Sequence, residues 1–189
     1  EEMSRTLGVS RAAVWQAVDQ LRQEGYGIEA ATRRGYRLTA RPDKLDAAAI
    51  AGQTGANVLV YDEVTSTNTA AEQLAAEGCP AGTCVLAERQ TAGKGRRGRG
   101  FSSEAGGLYF STVLRPGVLP EQLMHLTAMT AVATRRAILE TTGLDVQIKW
   151  TNDLVCGTHK LCGILTELSI LAETREVDYV VAGIGINCN

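Results

Sequence analysis

The chain has 189 residues, of which 44% are hydrophobic and 21% charged, and its formal net charge is −2. A chain of this composition can bury a core, which excludes disorder, and its charge provides no global basic field for nucleic acid. No apolar run approaches the roughly 18 residues of a membrane span, which excludes membrane insertion. Five scattered cysteines without a C-x-x-C pair and only two histidines argue against a zinc or other His/Cys metal cluster and against a complete disulfide framework, and predict a cytoplasmic setting.

Residues 1–41 predict a winged helix-turn-helix domain. A first helix over residues 1–7 and a tight turn precede a second helix over residues 11–24, which Ser10 can cap and Gly25 can end. Three apolar residues of the second helix recur at helical spacing and are expected to face a core: Val14, Val18 and Leu21.

Two short strand patterns at residues 28–31 and 36–38 flank a basic tip, which predicts a hairpin that would form the wing. The second helix would enter a major groove while the arginines of the wing contact phosphates. The predicted DNA contacts are Ser10, Arg11, Ala12, Trp15, Gln16, Arg33 and Arg34. The alternative is a small protein-interaction domain of the same shape, with a solvated charged face.

The Arg-Pro-Asp sequence at residues 41–43 predicts a linker, so we place the domain boundary between residues 41 and 42. The elements expected next are a helix over residues 44–51 capped by Asp43 and ended by Gly52, a strand over 57–64, a helix opened by a capping box at 69–72 and ended by Gly78, and strands over 83–88 and 108–114.

A long helix is predicted over residues 120–142, followed by strands over 146–150, 160–168 and 177–186. The apolar stripe of this helix, expected to face the core, is formed by Leu123, Leu126, Met129, Ala133 and Ala137. Because strands dominate and helices are interspersed among them, residues 42–189 predict a mixed sheet of the α+β class.

The segment at residues 89–100 carries five cationic side chains, several glycines and no acid. Glycines allow close approach of the backbone to a ligand, and arginines bind phosphate and carboxylate oxygens. The pattern Gly93-x-Gly95-x-x-Gly98 matches a dinucleotide-binding loop, but no helix follows it, and Lys94 is not followed by Ser or Thr as in a Walker loop. We therefore predict an anion-binding loop that is mobile when empty. The alternative is a solvated basic loop or a nucleic-acid tail.

Four further stretches carry polar or small residues at strand ends: residues 66–68 (Ser-Thr-Asn), 149–153 (Lys-Trp-Thr-Asn-Asp), 160–165 (Lys-Leu-Cys-Gly-Ile-Leu) and 183–187 (Gly-Ile-Gly-Ile-Asn). Each has an ordinary structural alternative. The first can be a plain helix cap, the second a hairpin turn, and Lys160 a solvated strand-end lysine. The glycines of the last stretch indicate that the backbone needs room there or that a ligand comes close.

In this order along the chain, the motifs resemble those of the biotin protein ligase family, specifically its bifunctional ligase and biotin-operon repressor members. The Gly-Lys-Gly-Arg-Arg-Gly-Arg sequence at residues 93–99 and the Lys-Trp-x-Asn-Asp sequence at 149–153 are specific in combination. The resemblance implies a class II synthetase-like catalytic domain after the winged domain. It also implies ATP and Mg²⁺ as cofactors, activation of biotin to biotinyl-5′-AMP, and transfer of biotin to a lysine of a carboxyl carrier protein.

The resemblance also assigns roles to residues of this chain. The implied biotin-binding residues are Ser66, Thr67, Asn68, Gln90, Lys94, Gly95, Arg96 and Lys160. The implied ATP-binding residues are Arg96, Arg97, Arg99, Phe101, Lys149, Asn152 and Asn187. Stabilisation of the transition state for adenylation would fall to Lys149, Lys160 and Arg96. Trp150 is a further candidate aromatic wall, with core packing as its alternative.

Several positions depart from the family pattern. Lys94 stands where arginine is common, Phe101 where tryptophan is usual, and Thr151 in place of a proline, while Thr65 precedes the Ser-Thr-Asn triplet where aspartate is frequent. The resemblance further leads us to expect that both ends are cut. The first helix of the winged domain would be missing, as would the end of the catalytic domain and a small β-barrel domain after it.

For the intact protein the resemblance implies repression of biotin-synthesis genes through operator DNA, with the adenylate as corepressor and a homodimer as the binding form. Two other functions remain open. One is a lipoate or octanoate ligase or transferase, which shares the catalytic fold. The other is a transcriptional repressor that senses a ligand without catalysis.

Overall fold

The computed structural model describes residues 2–31 and 35–188. The chain forms two compact units, Glu1–Lys44 and Leu45–Asn189. Among the described residues, none of the helices has the length and apolar composition needed to cross a membrane.

The first unit contains two helices followed by a two-stranded antiparallel sheet, which confirms the winged helix-turn-helix outline. Its elements are α1 (Glu2–Leu7), α2 (Arg11–Gln23), β1 (Gly27–Ala31) and β2 (Gly35–Ala40). The predicted cap is confirmed, because the Ser10 side chain accepts a hydrogen bond from the Ala13 amide at 3.1 Å. The basic tip with Arg33 and Arg34 lies outside the described residues.

Two of the three predicted core residues of α2, Val14 and Val18, are buried. The third prediction was wrong, because Leu21 is 37% exposed. The neighbouring Arg22 reaches the hairpin instead, and its guanidinium donates two hydrogen bonds to the carbonyl oxygen of Ile28, at 3.0 and 2.8 Å.

The second unit is a seven-stranded mixed sheet with three helices. In chain order its elements are α3 (Ala47–Thr54), β3 (Val58–Val64), α4 (Thr67–Ala76), β4 (Cys84–Gln90), β5 (Leu108–Leu114), α5 (Leu126–Thr142), β6 (Gln147–Lys149), β7 (Asp153–Cys156), β8 (His159–Ile170) and β9 (Val177–Ile186). The strands lie in the order β3-β4-β5-β9-β8-β7-β6, with β3 and β4 parallel and the other pairs antiparallel. The predicted mixed α+β sheet is confirmed.

The helices α4 and α5 lie on opposite faces of the sheet. Side chains alternate between faces along a strand, and two residues of β9 three positions apart belong to different cores. Val181 packs with Ala71 and Ala75 of α4, whereas Ile184 packs with Ala131 of α5. The face that carries α4 therefore remains open beyond the amino end of that helix, over the middle of β8 and β9.

Two helix starts differ from the predictions. Asp46 rather than Asp43 caps α3, by accepting a hydrogen bond from the Ala49 amide, and the helix ends at Gly55, whose φ of 69° is left-handed, rather than at Gly52. The helix α4 begins at Thr67 with Ser66 at the cap position, not at a capping box over residues 69–72. Its ending before Gly78 is confirmed.

The long predicted helix is two elements, a 3₁₀ turn at Pro120–Leu123 and the helix α5. The predicted core stripe was wrong, since Met129 is 65% exposed and the buried residues of α5 are Ala131 and Thr134. Small side chains on this side allow the helix to lie close to the sheet, and the Thr134 hydroxyl is satisfied by the Thr130 carbonyl.

The strand predicted at residues 146–150 ends before Trp150, which is 74% exposed. The alternative interpretation, in which Trp150 packs in the core, is therefore wrong. The short strand β7 was not predicted, because Asn152 and Asp153 were read as turn residues. It pairs with β6 on one side and β8 on the other.

Candidate active site

A cleft opens on the face of the sheet that carries α4. Its lining combines hydroxyl and amide groups at the amino end of α4, the start of the glycine loop (residues 93–100) and glycines of β8 and β9. All eight predicted biotin-binding residues line it: Ser66, Thr67, Asn68, Gln90, Lys94, Gly95, Arg96 and Lys160.

The amino end of α4 is capped by a side chain from β4. The Gln90 amide oxygen accepts hydrogen bonds from the Thr67 backbone amide at 2.7 Å and from the Thr67 hydroxyl at 3.1 Å. The Gln90 amide nitrogen donates to Ser103 at 2.7 Å. Ser66, which occupies the cap position, makes no side-chain cap hydrogen bond, so its hydroxyl faces the cleft with donor and acceptor capacity for a ligand.

Asn68 is buried and held on both ends of its amide. Its oxygen accepts a hydrogen bond from the Ser111 hydroxyl at 2.6 Å, and its nitrogen donates to Glu167 at 2.7 Å. This amide lies against Gly183 of β9, where a Cβ would overlap it. The glycine at this position therefore makes room for the Asn68 side chain.

The floor of the cleft is formed by Gly163 of β8 and Gly185 of β9, which are paired across the two strands. A Cβ on Gly163 would lie 2.8 Å from the Phe101 ring, and one on Gly185 would lie 2.6 Å from it. The Phe101 ring therefore lies against both glycines and forms a wall of the cleft, and at Gly185 it provides the close approach predicted for that strand.

A basic cavity continues from the cleft and shares part of its lining. Its residues are Gly95, Arg96, Arg97, Arg99, Gly100, Phe101, Asn152, Asp153 and Lys160. The ammonium of Lys160 lies 2.8 Å from the buried Oδ1 of Asp153, with which it forms an ion pair, and 5.5 Å from the centre of the Phe101 ring. Lys160 and Arg96 line both the cleft and the basic cavity, so an anion at their junction would meet two cations.

Arg96 joins the glycine loop to the turn after β6. Its guanidinium donates to the Thr151 hydroxyl at 3.0 Å and to the Asn152 amide oxygen at 2.9 Å. The Asn152 amide nitrogen in turn donates to the Ile164 carbonyl of β8 at 3.2 Å. The turn therefore fixes Arg96 at the junction of the two cavities.

Lys94 ties the other side of the glycine loop to two acids. Its ammonium lies 3.2 Å from Glu72 of α4 and 3.5 Å from Glu167 of β8. Burial alone would lower the pKa of Lys94, but the hydrogen bond to Glu72 and the charge of Glu167 outweigh it and raise the pKa above its ordinary value. Lys94 is therefore held in its charged form at the edge of the cleft.

In the first unit, the predicted DNA-contacting residues of α2 lie on an accessible side. Arg11, Ala12 and Gln16 are exposed, and Trp15 is 58% exposed. Ser10 acts as the cap of the helix. A solvent-facing tryptophan beside polar residues on the second helix suits a binding surface better than a core.

Comparison with known sequences finds a matching family profile for each of the two units. The sequence profile of the Biotin/lipoate A/B protein ligase family matches residues 60–187, about two thirds of the chain. The chain belongs to the biotin/lipoate A/B protein ligase family. A helix-turn-helix domain profile matches residues 1–37.

The similarity to individual members of the ligase family extends over both units. The chain is 40% identical over 195 residues to the bifunctional ligase/repressor BirA of Bacillus subtilis, covering 100% of this chain and 59% of that protein. It is 34% identical over 189 residues to BirA of Escherichia coli, covering 99% and 58%. The chain thus spans less than two thirds of the length of these relatives.

The fold of the second unit is shared with solved ligases. The biotin protein ligase from Aquifex aeolicus in complex with biotin and ATP has a TM-score of 0.59 and 37% identity, covering 69% of this chain and 52% of that one. The Leishmania major ligase in complex with biotinyl-5-AMP has a TM-score of 0.57 and 34% identity, covering 69% and 57%.

Two predicted nucleotide-binding residues lie outside both cavities. Lys149 is exposed on the edge strand β6, and Asn187 follows β9 and donates to the Lys160 carbonyl at 3.1 Å. The other five predicted ATP-binding residues line the basic cavity: Arg96, Arg97, Arg99, Phe101 and Asn152.

Sequence reasoning missed three polar residues that hold the site together, namely Glu72, Ser111 and Glu167. It included Asp153 in the motif at residues 149–153 but gave that carboxylate no role. A signal existed for Glu167, because it lies two and four positions after Leu165 and Gly163 on one strand and so shares their face. No comparable signal marks Ser111, a small residue within a mostly apolar strand.

Proposed function

We propose that this chain is part of a biotin protein ligase that activates biotin with ATP and transfers it to a lysine of a biotin carboxyl carrier protein. The observation that carries the proposal is the junction of a polar cleft with a basic cavity at Lys160 and Arg96. Such a junction suits a reaction in which a carboxylate meets a phosphate, since negative charge is concentrated there. The 40% identity to the ligase/repressor BirA of Bacillus subtilis and the likeness to the Aquifex aeolicus biotin protein ligase in complex with biotin and ATP support the choice of biotin and ATP.

In the proposed first step, a biotin carboxylate oxygen attacks the α-phosphorus of ATP, and the bond to the β-phosphate oxygen breaks to release pyrophosphate. No general base is needed, because the attacking group is already an anion. The chain's contribution is to align the two reactants and to stabilise charge on the α-phosphate. Lys160 and Arg96 are proposed for that stabilisation, together with Lys149, which would have to approach from the exposed edge strand.

At the other end of the cleft, the ureido ring of biotin would meet Ser66, Thr67 and Gln90. The ring offers both donors and acceptors, which these hydroxyl and amide groups complement. Asn68 is proposed to support this wall through shape, since its amide is engaged with Ser111 and Glu167. The nucleotide would lie over Arg97, Arg99 and Phe101, with Asn187 supporting the strand end that carries Lys160.

Mg²⁺ is part of the proposal as the partner of the ATP phosphates. Such an ion is usually bound by one or two carboxylates together with the phosphates themselves. Asp153 is the carboxylate in the lining of the basic cavity, which meets this requirement, and Mg²⁺ there would share Oδ1 of Asp153 with the ammonium of Lys160, 2.8 Å away. The ion would neutralise charge on the phosphates.

Full-length protein incubated with biotin, ATP and Mg²⁺ is expected to form biotinyl-5′-AMP and pyrophosphate, measured by mass spectrometry and pyrophosphate release. In the second step the amine of the carrier lysine attacks the acyl carbon and AMP leaves, so added carrier protein should become biotinylated. The matched reactions replace biotin with lipoate or octanoate. Activation of lipoate or octanoate instead of biotin would reject the proposal, as would no activation of any of the three.

We further propose that residues 1–41 bind operator DNA and residues 42–189 carry catalysis, so that the intact cytoplasmic protein represses biotin-synthesis genes. The exposed side of α2 supports this role. Operator DNA titrated with full-length protein should bind at least tenfold more tightly when biotin and ATP are present, because the adenylate would favour the homodimer and two half-sites. Equal affinity with and without ligands would rule out adenylate-dependent repression, and a Trp15→Ala variant that still binds normally would rule out α2 as the reading helix.

A further inference from the structure

The contacts of Lys94 differ from those of the other cations of the glycine loop. Its ammonium pairs with Glu72 of α4 and Glu167 of β8, at 3.2 and 3.5 Å. These acids come from two elements that flank the cleft, so one cation of the loop is attached to both walls. The three side chains are each about one third exposed, at 38%, 30% and 31%, so solvent screens the pairs only in part.

The same acids are connected to the ureido end of the cleft. The second carboxylate oxygen of Glu167 accepts the hydrogen bond from Asn68, whose other end is held by Ser111. Glu72 lies four residues after Asn68 on α4, one turn along the same side of the helix. A continuous chain of contacts therefore runs from the cleft wall through Asn68 and Glu167 to Lys94.

The glycine loop needs such an attachment because its own charges repel. Residues 94–99 carry Lys94, Arg96, Arg97 and Arg99 without an acid among them. Within the described residues, the loop is closed by backbone contacts, including a hydrogen bond from the Gly95 amide to the Arg99 carbonyl at 2.7 Å. These backbone contacts hold the loop in its own shape, whereas its position over the cleft depends on side chains at the two sides of the loop.

We propose that Glu72 and Glu167 are positioning residues that act as an acidic latch, holding Lys94 and with it the glycine loop over the cleft. This inference rests on the proposed function for the identity of the ligand. Loss of the latch would shorten the residence of biotin and of the adenylate while leaving the charges that stabilise the transition state in place. Its signature is therefore a larger effect on KM and on biotin dissociation than on kcat.

The test uses full-length protein with Glu72→Gln or Glu167→Gln, and Glu140→Gln as the control. Glu140 also pairs with a cation, Arg136, but on the exposed side of α5. For each latch variant we expect biotin to dissociate ~3–5-fold faster and KM for biotin to rise by a similar factor, the range of a partly exposed ion pair, with kcat changed less than twofold. The control should match the wild type in every measurement.

Limited trypsin digestion without ligand tests the latch independently of catalysis. Cleavage after Arg96 and Arg97 should be ~3–5-fold faster in either latch variant. In a Lys94→Gln background Glu72→Gln should add nothing, whereas Lys94→Arg should restore slow cleavage, which a merely structural role for Glu72 would not produce. Because Glu72 is 30% exposed, and the buried amide of Asn68 pairs with Glu167, the Glu72→Gln variant serves even if Glu167→Gln does not fold.

The two proposals fail in different ways. If the wild type does not bind biotin, the proposed function falls, while faster trypsin cleavage of the latch variants would still support the latch. If the wild type binds biotin but both variants keep wild-type cleavage and dissociation, the latch is overturned and the ligase proposal stands. Additive effects of Glu72→Gln and Lys94→Gln would also overturn the latch.

Discussion

Replacing Lys160 with alanine is expected to lower the rate of biotinyl-adenylate formation by about 10²–10³-fold, the usual cost of removing one preorganised group that stabilises transition-state charge. Lys160 lines both the cleft and the basic cavity, where the carboxylate and the α-phosphate would meet. The expected loss is mainly in kcat, because the charge that Lys160 stabilises is greatest in the transition state. Single-turnover formation of the adenylate is the measurement, with biotin affinity determined separately.

The control for this prediction must separate lost chemistry from lost stability. Removing Lys160 leaves the buried Oδ1 of Asp153 without its cation, which costs stability. The free energy of unfolding of Lys160→Ala, measured by urea denaturation, gives that loss of stability separately from the rate of adenylation. Lys44→Ala, at an exposed lysine, is the matched substitution. A folded Lys160→Ala protein with wild-type adenylation would show that Lys160 has no catalytic role, and that the junction of the two cavities is not where reaction occurs.

The strands and the first unit were predictable because their signals are local. Alternation of apolar residues marks β9, and a serine before an amphipathic run marks the start of α2. The start of α4 at the Ser-Thr-Asn stretch was stated only as the alternative that this stretch caps a helix, and Ser66 does occupy the cap position. The side chain that satisfies the Thr67 amide could not be predicted locally, because it belongs to Gln90, 23 positions away. The buried side of α5 was missed for a similar reason, since the sheet selects small side chains there over larger apolar ones.

In the candidate site, too, some features were predictable from the sequence and others depend on contacts between distant residues. The resemblance to the ligase family, which depends on the order of the motifs, predicted which residues gather at the cleft. What the order does not contain is how those residues are held. Glu167 joins Asn68 across 99 positions and Lys94 across 73, and neither pairing leaves a trace in the local sequence. The attachment of the glycine loop to the cleft walls therefore emerges only from the folded chain.

Replacing Gly183 with alanine is expected to destabilise the second unit by about 2–6 kcal/mol, combining the cost of overpacking with that of a broken buried hydrogen bond. The added Cβ would overlap the Asn68 amide oxygen and lie 2.7 Å from its Cγ. Asn68 cannot shift away without losing the hydrogen bonds to Ser111 and Glu167. Biotin affinity should fall with stability, since Asn68 forms part of the cleft wall.

The matched substitution is Gly52→Ala in α3, where an added Cβ meets nothing within 4 Å. Alanine there should stabilise the protein by about 0.5–1 kcal/mol, because glycine disfavours the helix interior. Both variants replace a hydrogen with one methyl group. Comparing their free energies of unfolding, measured by urea denaturation, therefore separates the effect of packing at Gly183 from the effect of a glycine-to-alanine substitution in general. A Gly183→Ala protein as stable as the wild type would mean that the Asn68 side chain can move freely, which would remove the basis for its connection to Glu167 and the latch.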